Sequence, residues 1–237
     1  MGALISLELR KNNIKTFLKA SLIIFAIMLM FMYLFVWIPK LAESEMDQDL
    51  TMFHSYNGLI VLTGVLNMAC FSVLSAVMYS KFIIEEYQGK KAILLFSYPI
   101  DRIKIFQSKL VLVSVFTLSV ALFSNLLLFA VLVMSETLYP VVNDVITIRI
   151  IWKVLNVSVI MAVLAAGFGT ISLFVGFLKN SVQAAVVTSV ILCSLVSNVA
   201  AGNLKNDIPI LLVTVFVASM AFVLSSITAA QISKIEV

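Results

Sequence analysis

Long apolar runs alternate along this chain with short segments that hold most of its charged and turn-forming residues. A helix needs roughly 20 apolar residues to cross a hydrocarbon layer about 30 Å thick, and six runs approach or exceed that length. The pattern therefore predicts an all-α polytopic membrane protein. We expect a single transmembrane domain over residues 1–237, with spans at about 18–38, 58–80, 110–134, 154–178, 182–201 and 208–230.

The residues before the first run, 1–17, combine apolar and basic positions at helical spacing. The basic residues fill much of one side of such a helix, and the apolar side consists of Leu4, Leu7, Ile14 and Leu18. This pattern predicts an amphipathic helix in the headgroup layer, and a disordered basic leader is the alternative. The first run is too long for a signal-peptide core and lacks a small-residue cleavage site, so we expect an uncleaved span.

Composition and charge agree with a membrane location. Hydrophobic residues make up 62% of the 237 residues and charged residues 12%, whereas about 25% of a soluble domain is charged. With the N-terminus inside, the predicted inner segments hold 12 Lys and Arg residues and the outer segments hold 4. Because cytoplasmic loops retain positive charge, we expect both termini to be cytoplasmic. The net charge of +4 follows from this topology and does not indicate a nucleic-acid surface.

The centres of the predicted spans hold no charged residue. Charges inside a membrane usually mark ion or proton pathways, so their absence argues against an ion-coupled transporter. Lysines at the ends of the spans are expected to extend their ammonium groups to the interface. These are Lys19, Lys81, Lys109, Lys153 and Lys179.

Residues suited to catalysis, metal binding or nucleotide binding are sparse. The single histidine, His54, adjoins an acidic segment, where a solvated loop is favoured over a metal site. Cys70 and Cys193 lie in apolar runs without ligand spacing and predict buried free thiols. No Walker A pattern occurs. We therefore predict a chain without enzyme activity, metal or bound cofactor, in which any use of ATP requires another polypeptide.

Neutral polar and small residues do occur inside the predicted spans. Four asparagines are expected to hydrogen-bond between helices, although one or two could instead line a substrate pathway. They are Asn67, Asn125, Asn156 and Asn198. Small residues in the fourth span predict a helix-packing face, because they let backbones approach closely. They are Ala162, Ala165, Ala166, Gly167, Gly169, Ser172 and Gly176.

The segment between the second and third spans, residues 81–109, is the longest predicted cytoplasmic connection. Glu85 and Glu86 precede Gly89, where a helix can end or bend. Asp101 is placed to cap a new helix that enters the third span. The segment therefore predicts ordered structure rather than a simple linker.

The order of these features resembles the membrane subunits of ABC-2 type transporters. The resemblance is to the small six-span permeases associated with bacteriocin or lantibiotic immunity and export of amphipathic peptides. In that family a Glu, a Gly, a Leu pair, a Pro, a basic residue and a Ser-Lys pair follow the second span. The matching residues are Glu85 or Glu86, Gly89, Leu94, Leu95, Pro99, Arg102, Ser108 and Lys109. Lys90 and Asp101 depart from the pattern, which leaves the subfamily and its substrate open.

The resemblance implies a partner that supplies the energy. In the family this segment is a coupling helix seated in a groove of a separate ABC ATPase, two copies of which hold ATP and Mg. They serve two permeases, which are identical or paralogous. It also implies a bacterial plasma-membrane exporter of a hydrophobic or amphipathic peptide, linked to antibiotic resistance or immunity. The residues implied in ATPase coupling are Glu85, Glu86, Tyr87, Gly89, Pro99, Arg102 and Lys179.

Two other functional classes stay open at this point. An ion-coupled secondary transporter would require an ion gradient and no ATPase, and the uncharged span centres disfavour it. A membrane scaffold or sensor subunit that transports nothing is compatible with the same apolar pattern.

Overall fold

In a computed structural model of the protein, the structure describes Glu8 and residues 14–41, 55–87, 102–138, 147–202 and 208–233. Over these residues the chain is almost entirely helical and contains no strand. Six helices are long and apolar enough to cross a membrane. The predicted all-α fold with six spans is thereby confirmed.

The six helices follow the predicted spans closely. The third helix begins well before the expected span, at Arg102 rather than residue 110, and this start agrees with the prediction of a new helix after Asp101 that enters the third span. The second helix continues directly into a π-helical turn, Ser80–Ile84. In chain order the helices are α1 (Ile14–Leu41), α2 (Tyr56–Tyr79), α3 (Arg102–Leu138), α4 (Ile148–Leu178), α5 (Val182–Gly202) and α6 (Ile208–Ser233).

The fourth helix, α4, lies at the centre of the bundle and packs against α2, α3, α5 and α6. Its small residues make this possible, because each glycine lies against a different neighbour. A Cβ on Gly169 would overlap Ser75 of α2, and one on Gly167 would come within 2.7 Å of Val217 of α6. The predicted packing face is confirmed, and it extends around the helix rather than along one side.

A tight turn reverses the chain between α4 and α5. Asn180 has a φ of 47°, a left-handed conformation that asparagine adopts more readily than most residues. The amide of Ser181 donates to the carbonyl of Gly176 at 3.1 Å, and the amide of Asn180 donates to that of Phe177 at 3.3 Å. These two bonds form a Schellman motif, which ends α4 and starts α5 within three residues.

The outer surface of the bundle is apolar. Leu22 on α1 and Phe222 on α6 are 67% and 74% exposed. Trp37 and Trp152 are also exposed, and they lie near the end of α1 and the start of α4, at the same end of the bundle. Because tryptophan favours the boundary between lipid and water, this arrangement fits a bundle surrounded by lipid.

The opposite end of the bundle, where α2 ends and α3 begins, has its own apolar cluster. All six helices and the π-helical turn contribute side chains to this cluster. We refer to this end of the bundle as the α2–α3 end. Its buried members are Phe17, Met78, Tyr79, Phe82, Ile83, Ile84, Tyr87, Phe106, Leu112, Val113, Leu173, Ala185 and Ile232.

Candidate functional site

Two charged side chains are buried within the described ranges, Lys109 on α3 and Glu86 just beyond α2. Both lie at the α2–α3 end, on the two sides of segment 88–101. Lys109 is 1% exposed. A buried charge is tolerated only when it is paired and hydrogen-bonded, so its surroundings indicate what the site does.

The end of α2 is shaped by its π-helical turn. The amide of Glu85 donates to the carbonyl of Ser80 at 2.9 Å, a bond that spans five residues rather than four. The amides of Glu86 and Tyr87 both donate to the carbonyl of Ile83. The carbonyl of Phe82, one turn before the chain leaves the helix, is therefore available to a donor from outside the helix.

Lys109 supplies that donor. Its Nζ donates to the carbonyl oxygen of Phe82 at 2.9 Å and to Oε2 of Glu86. Oε1 of Glu8, which precedes α1, lies 3.8 Å from the same nitrogen. The ammonium also lies 5.6 Å from the centroid of the Tyr87 ring, within reach of a cation–π interaction. We call Lys109, Glu86, Glu8 and the Phe82 carbonyl the Lys109 cluster.

Apolar and aromatic side chains surround the Lys109 cluster. Phe17 of α1 meets the Phe82 ring edge to face, with centroids 5.5 Å apart, and the Lys81 ammonium lies 5.7 Å from the Phe17 ring centroid. The Tyr87 ring meets Phe177 of α4 at 6.5 Å. Exclusion of water lowers the local dielectric constant and strengthens the attraction between the ammonium and its carboxylates.

The Tyr87 hydroxyl reports on the charge of this environment. Burial raises the pKa of Tyr87, and the negative charges of Glu8 and Glu86 raise it further. The phenol is therefore neutral at physiological pH, and its ring serves as an aromatic contact rather than as a charged group.

The residues expected to contact an ATPase fall into an exposed set and a buried set. Glu85 and Lys179 are exposed, and Arg102 is half-buried in the first turn of α3. Glu86 and Tyr87 are instead buried against Lys109, so their side chains support the segment from inside. Gly89, Pro99, Leu94 and Leu95 of the motif lie outside the described residues, as do His54 and most of the predicted helix 1–17.

The expectation that Lys109 extends its ammonium to the interface is wrong. The early start of α3 places Lys109 two turns inside the helix, where the end of α2 covers it. The carbonyl of Phe82 and the carboxylate of Glu86 then replace water as its partners. A signal for this pairing was present in the sequence, since a carboxylate just after one span and a lysine at the start of the next are natural partners.

The four asparagines have different environments. Asn67 links two helices as expected, because its Nδ2 donates to the carbonyl of Ala121 and its Oδ1 accepts from Ser124 of α3. Asn198 is exposed and bonds within its own helix, so the interhelical prediction is wrong for it. Asn156 is also exposed. Asn125 is buried, and neither side-chain atom of its amide has a hydrogen-bond partner among the described residues.

Asn125 and Asn67 should therefore respond oppositely to the same substitution. Asn125→Val is expected to raise the free energy of unfolding by about 1 kcal/mol, because it removes a buried amide that lacks partners. Asn67→Val should lower it by about the same amount, because two interhelical bonds are lost. Unfolding of the detergent-solubilised protein by sodium dodecyl sulfate, followed by tryptophan fluorescence, measures both. A loss of stability in both variants would contradict the assignment of Asn125.

Both cysteines are free thiols, as predicted, but Cys70 is half-buried rather than buried. Cys193 of α5 is buried, and its sulfur lies 2.8 Å from the hydroxyl of Ser72 on α2. Ser189, one turn earlier on α5, donates to the same hydroxyl at 3.2 Å. The described residues contain no cluster of three or more potential metal ligands. These groups therefore act as polar contacts between α2 and α5.

Comparison with known proteins shows similarity over most of the chain. The uncharacterized protein YcbO of Bacillus subtilis (strain 168) is 29% identical over 199 residues, which cover 84% of this chain and 85% of YcbO. No protein-family profile matches the chain, and no solved structure matches it. The name of YcbO carries no activity that could be transferred.

Proposed function

We propose that this chain is the permease subunit of an ABC-2 type exporter, driven by ATP that a separate ATPase subunit hydrolyses. In this proposal two permeases, identical or paralogous, form the pathway with two ATPase subunits. The chain itself holds no nucleotide, and ATP and Mg belong to the partner. The cargo is a hydrophobic or amphipathic molecule, such as a peptide toxin or antibiotic.

The make-up of the bundle supports a transporter whose energy comes from outside the chain. Six apolar helices are compatible with a membrane transporter subunit. The buried polar groups along the spans are neutral, apart from Lys109 at one end. Apolar walls with a few neutral hydrogen-bonding groups would suit an amphipathic cargo, and the described parts of the spans hold no series of charged side chains of the kind that proton coupling uses.

The observation that carries the proposal is the ionic tie between the two sides of segment 88–101. Glu86 precedes this segment and Lys109 follows it, and their side chains form a buried ion pair. A segment that transmits force to the spans needs both of its flanks held together, and in this proposal the Lys109 cluster holds them. Segment 81–109 matches the coupling region of ABC-2 permeases, so the force would come from the ATPase.

Exposed and half-buried charged residues at this end define the contact surface for the ATPase. The exposed Glu85 lies shortly before segment 88–101, and the half-buried Arg102 lies immediately after it. Lys179 lies in the α4–α5 turn. This turn is at the same end of the bundle, because Gly176, in the last turn of α4, lies against Ile84 of the π-helical turn. Charged side chains of this kind form charge-assisted hydrogen bonds to a protein partner. α1 begins and α6 ends on this side, and in this proposal the surface faces the cytoplasm of a bacterial cell.

Purification of the tagged chain in mild detergent, from cells that naturally make it, tests the proposal. An ATP-hydrolysing subunit is expected to accompany the unaltered chain. Glu85→Lys should lose that subunit while the permease still inserts, because an exposed carboxylate of the contact surface changes sign. Glu136→Lys makes the same change near the other end of α3 and should keep the subunit. Absence of an ATPase, with transport that collapses when an ion gradient is removed, would refute the proposal.

A further inference from the structure

Lys109 lies where three separate stretches of the chain meet. Lys109 belongs to one of them, α3, and its partners come from the other two, which are residues 82–86 at the end of α2 and Glu8, which precedes α1. We infer that Lys109 is a positioning residue, which joins both flanks of segment 88–101 and the start of α1 into one mechanical unit.

The number and origin of the acceptors support this role. The ammonium of Lys109 donates to two oxygen atoms, those of the Phe82 carbonyl and the Glu86 carboxylate, and a third, Oε1 of Glu8, lies at ion-pair distance. A lysine that needed only neutralisation would be satisfied by a single carboxylate. Here the carbonyl of Phe82 fixes the height of the ammonium at the end of α2, where a positive charge also complements the helix dipole.

Aromatic contacts make the connection to α1 independent of Glu8. Phe17 lies in the first turn of α1, packs edge to face against Phe82 and lies beneath the Lys81 ammonium. The residue that presents its carbonyl to Lys109 is therefore the same residue that contacts α1. A displacement of Phe82 is passed to α3 through the ammonium and to α1 through the ring of Phe17.

The inference rests on the proposed function for the origin of the force. If an ATPase displaces segment 88–101, the Lys109 cluster carries that displacement into α1, α2 and α3 together. Without the cluster the two flanks of the segment would no longer be joined, and ATP hydrolysis would proceed without motion of the spans.

Hydrogen–deuterium exchange on the purified permease tests the mechanical unit without reference to any ATPase. Glu86→Gln combined with Lys109→Met removes both buried charges together, so the variant is expected to fold. Amide exchange should then increase jointly in residues 14–20, 80–87 and 102–109, and stay unchanged in α5. Lys104→Met, an exposed lysine on the same helix, is the control and should change none of these. Faster exchange confined to the surroundings of residue 109, or no change at all, would overturn the inference.

A second measurement separates coupling from stability. Val133 and Leu195 are exposed on α3 and α5. After both native cysteines are replaced by serine, spin labels on cysteines introduced at these two positions measure the distance between α3 and α5. In the complex with its ATPase, trapping the ATPase in its nucleotide-bound state should change this distance. The complex that contains the double variant should still hydrolyse ATP but show no change in this distance. A variant that was merely unstable would lose both the ATP hydrolysis and the change in distance. An unchanged shift would overturn the inference. Absence of any shift in the unaltered complex would count against the proposed function, and the exchange experiment would still decide the role of Lys109.

Discussion

Replacing Lys109 by methionine is expected to lower the free energy of unfolding by about 3–5 kcal/mol, the cost of leaving the buried carboxylate of Glu86 without its cation. Glu86 and the half-buried Glu8 would both lose the ammonium with which they pair. The carbonyl of Phe82 would lose its donor as well. Unfolding by sodium dodecyl sulfate, followed by tryptophan fluorescence, measures the loss.

Two further variants test whether this loss of stability comes from the buried ion pair. Adding Glu86→Gln to Lys109→Met should restore much of the stability, because the double variant leaves one carboxylate fewer to desolvate. Lys104→Met should change stability by no more than about 0.5 kcal/mol, since exposed substitutions rarely do more. If Lys109→Met and Lys104→Met were equally stable, the ion pair would have no energetic role.

Gly169→Ala is expected to lower the free energy of unfolding by about 1–3 kcal/mol through overpacking. The added Cβ would overlap the hydroxyl of Ser75 and lie 2.9 Å from the Ser75 Cβ, in the contact between α4 and α2. Removing the Ser75 side chain in the same protein, as Ser75→Gly, should recover part of the loss. The same titration with sodium dodecyl sulfate measures all of these proteins.

Gly202→Ala provides the matched control for this prediction. No heavy atom lies within 4 Å of a Cβ at that position, so the same methyl group is accommodated. Gly202→Ala should not lower stability, since alanine is a better helix former than glycine. Equal losses at Gly169 and Gly202 would contradict close packing as the source of the cost at Gly169.

The architecture was predictable because lipid imposes a simple requirement on the chain. Each span must satisfy its backbone hydrogen bonds internally and present apolar side chains to lipid, so long apolar runs indicate helices directly. The crowded glycines of α4 were predictable for a similar reason. Gly167, Gly169 and Gly176 lack the side chain that would keep neighbouring helices apart.

The Lys109 cluster was not predictable from the apolar pattern. A lysine at the border of an apolar run has the same sequence context whether it reaches water or folds inward, and the choice depends on which element covers it. Here α3 begins at Arg102, so Lys109 lies within the helix rather than at its edge. The π-helical turn then presents the carbonyl of Phe82 to it, and a π-helical turn has no dependable sequence signal.

The asparagines show the same limit on a smaller scale. Residue type predicted that Asn67 and Asn198 would form hydrogen bonds, but not with which partner. Asn67 faces α3, and Asn198 lies on the exposed side of α5 and bonds to Ser194 of its own helix. Side-chain partners depend on the rotation of each helix about its axis. That rotation cannot be predicted from sequence when the helices lack clear amphipathic faces.

The π-helical turn also makes the number of residues in this stretch a condition for the contact with Lys109. The bond from Glu85 to Ser80 encloses one residue more than an α-helical bond does, so the loss of one residue between Tyr79 and Glu86 would return the stretch to α-helical bonding. The Phe82 carbonyl, which the π-helical turn presents to Lys109, would then lose that presentation even though both charges were kept. Counting residues across this stretch is therefore as informative as identifying them, and a relative that retains both charges but has a one-residue gap here is expected to lack the bond from Lys109 to this carbonyl.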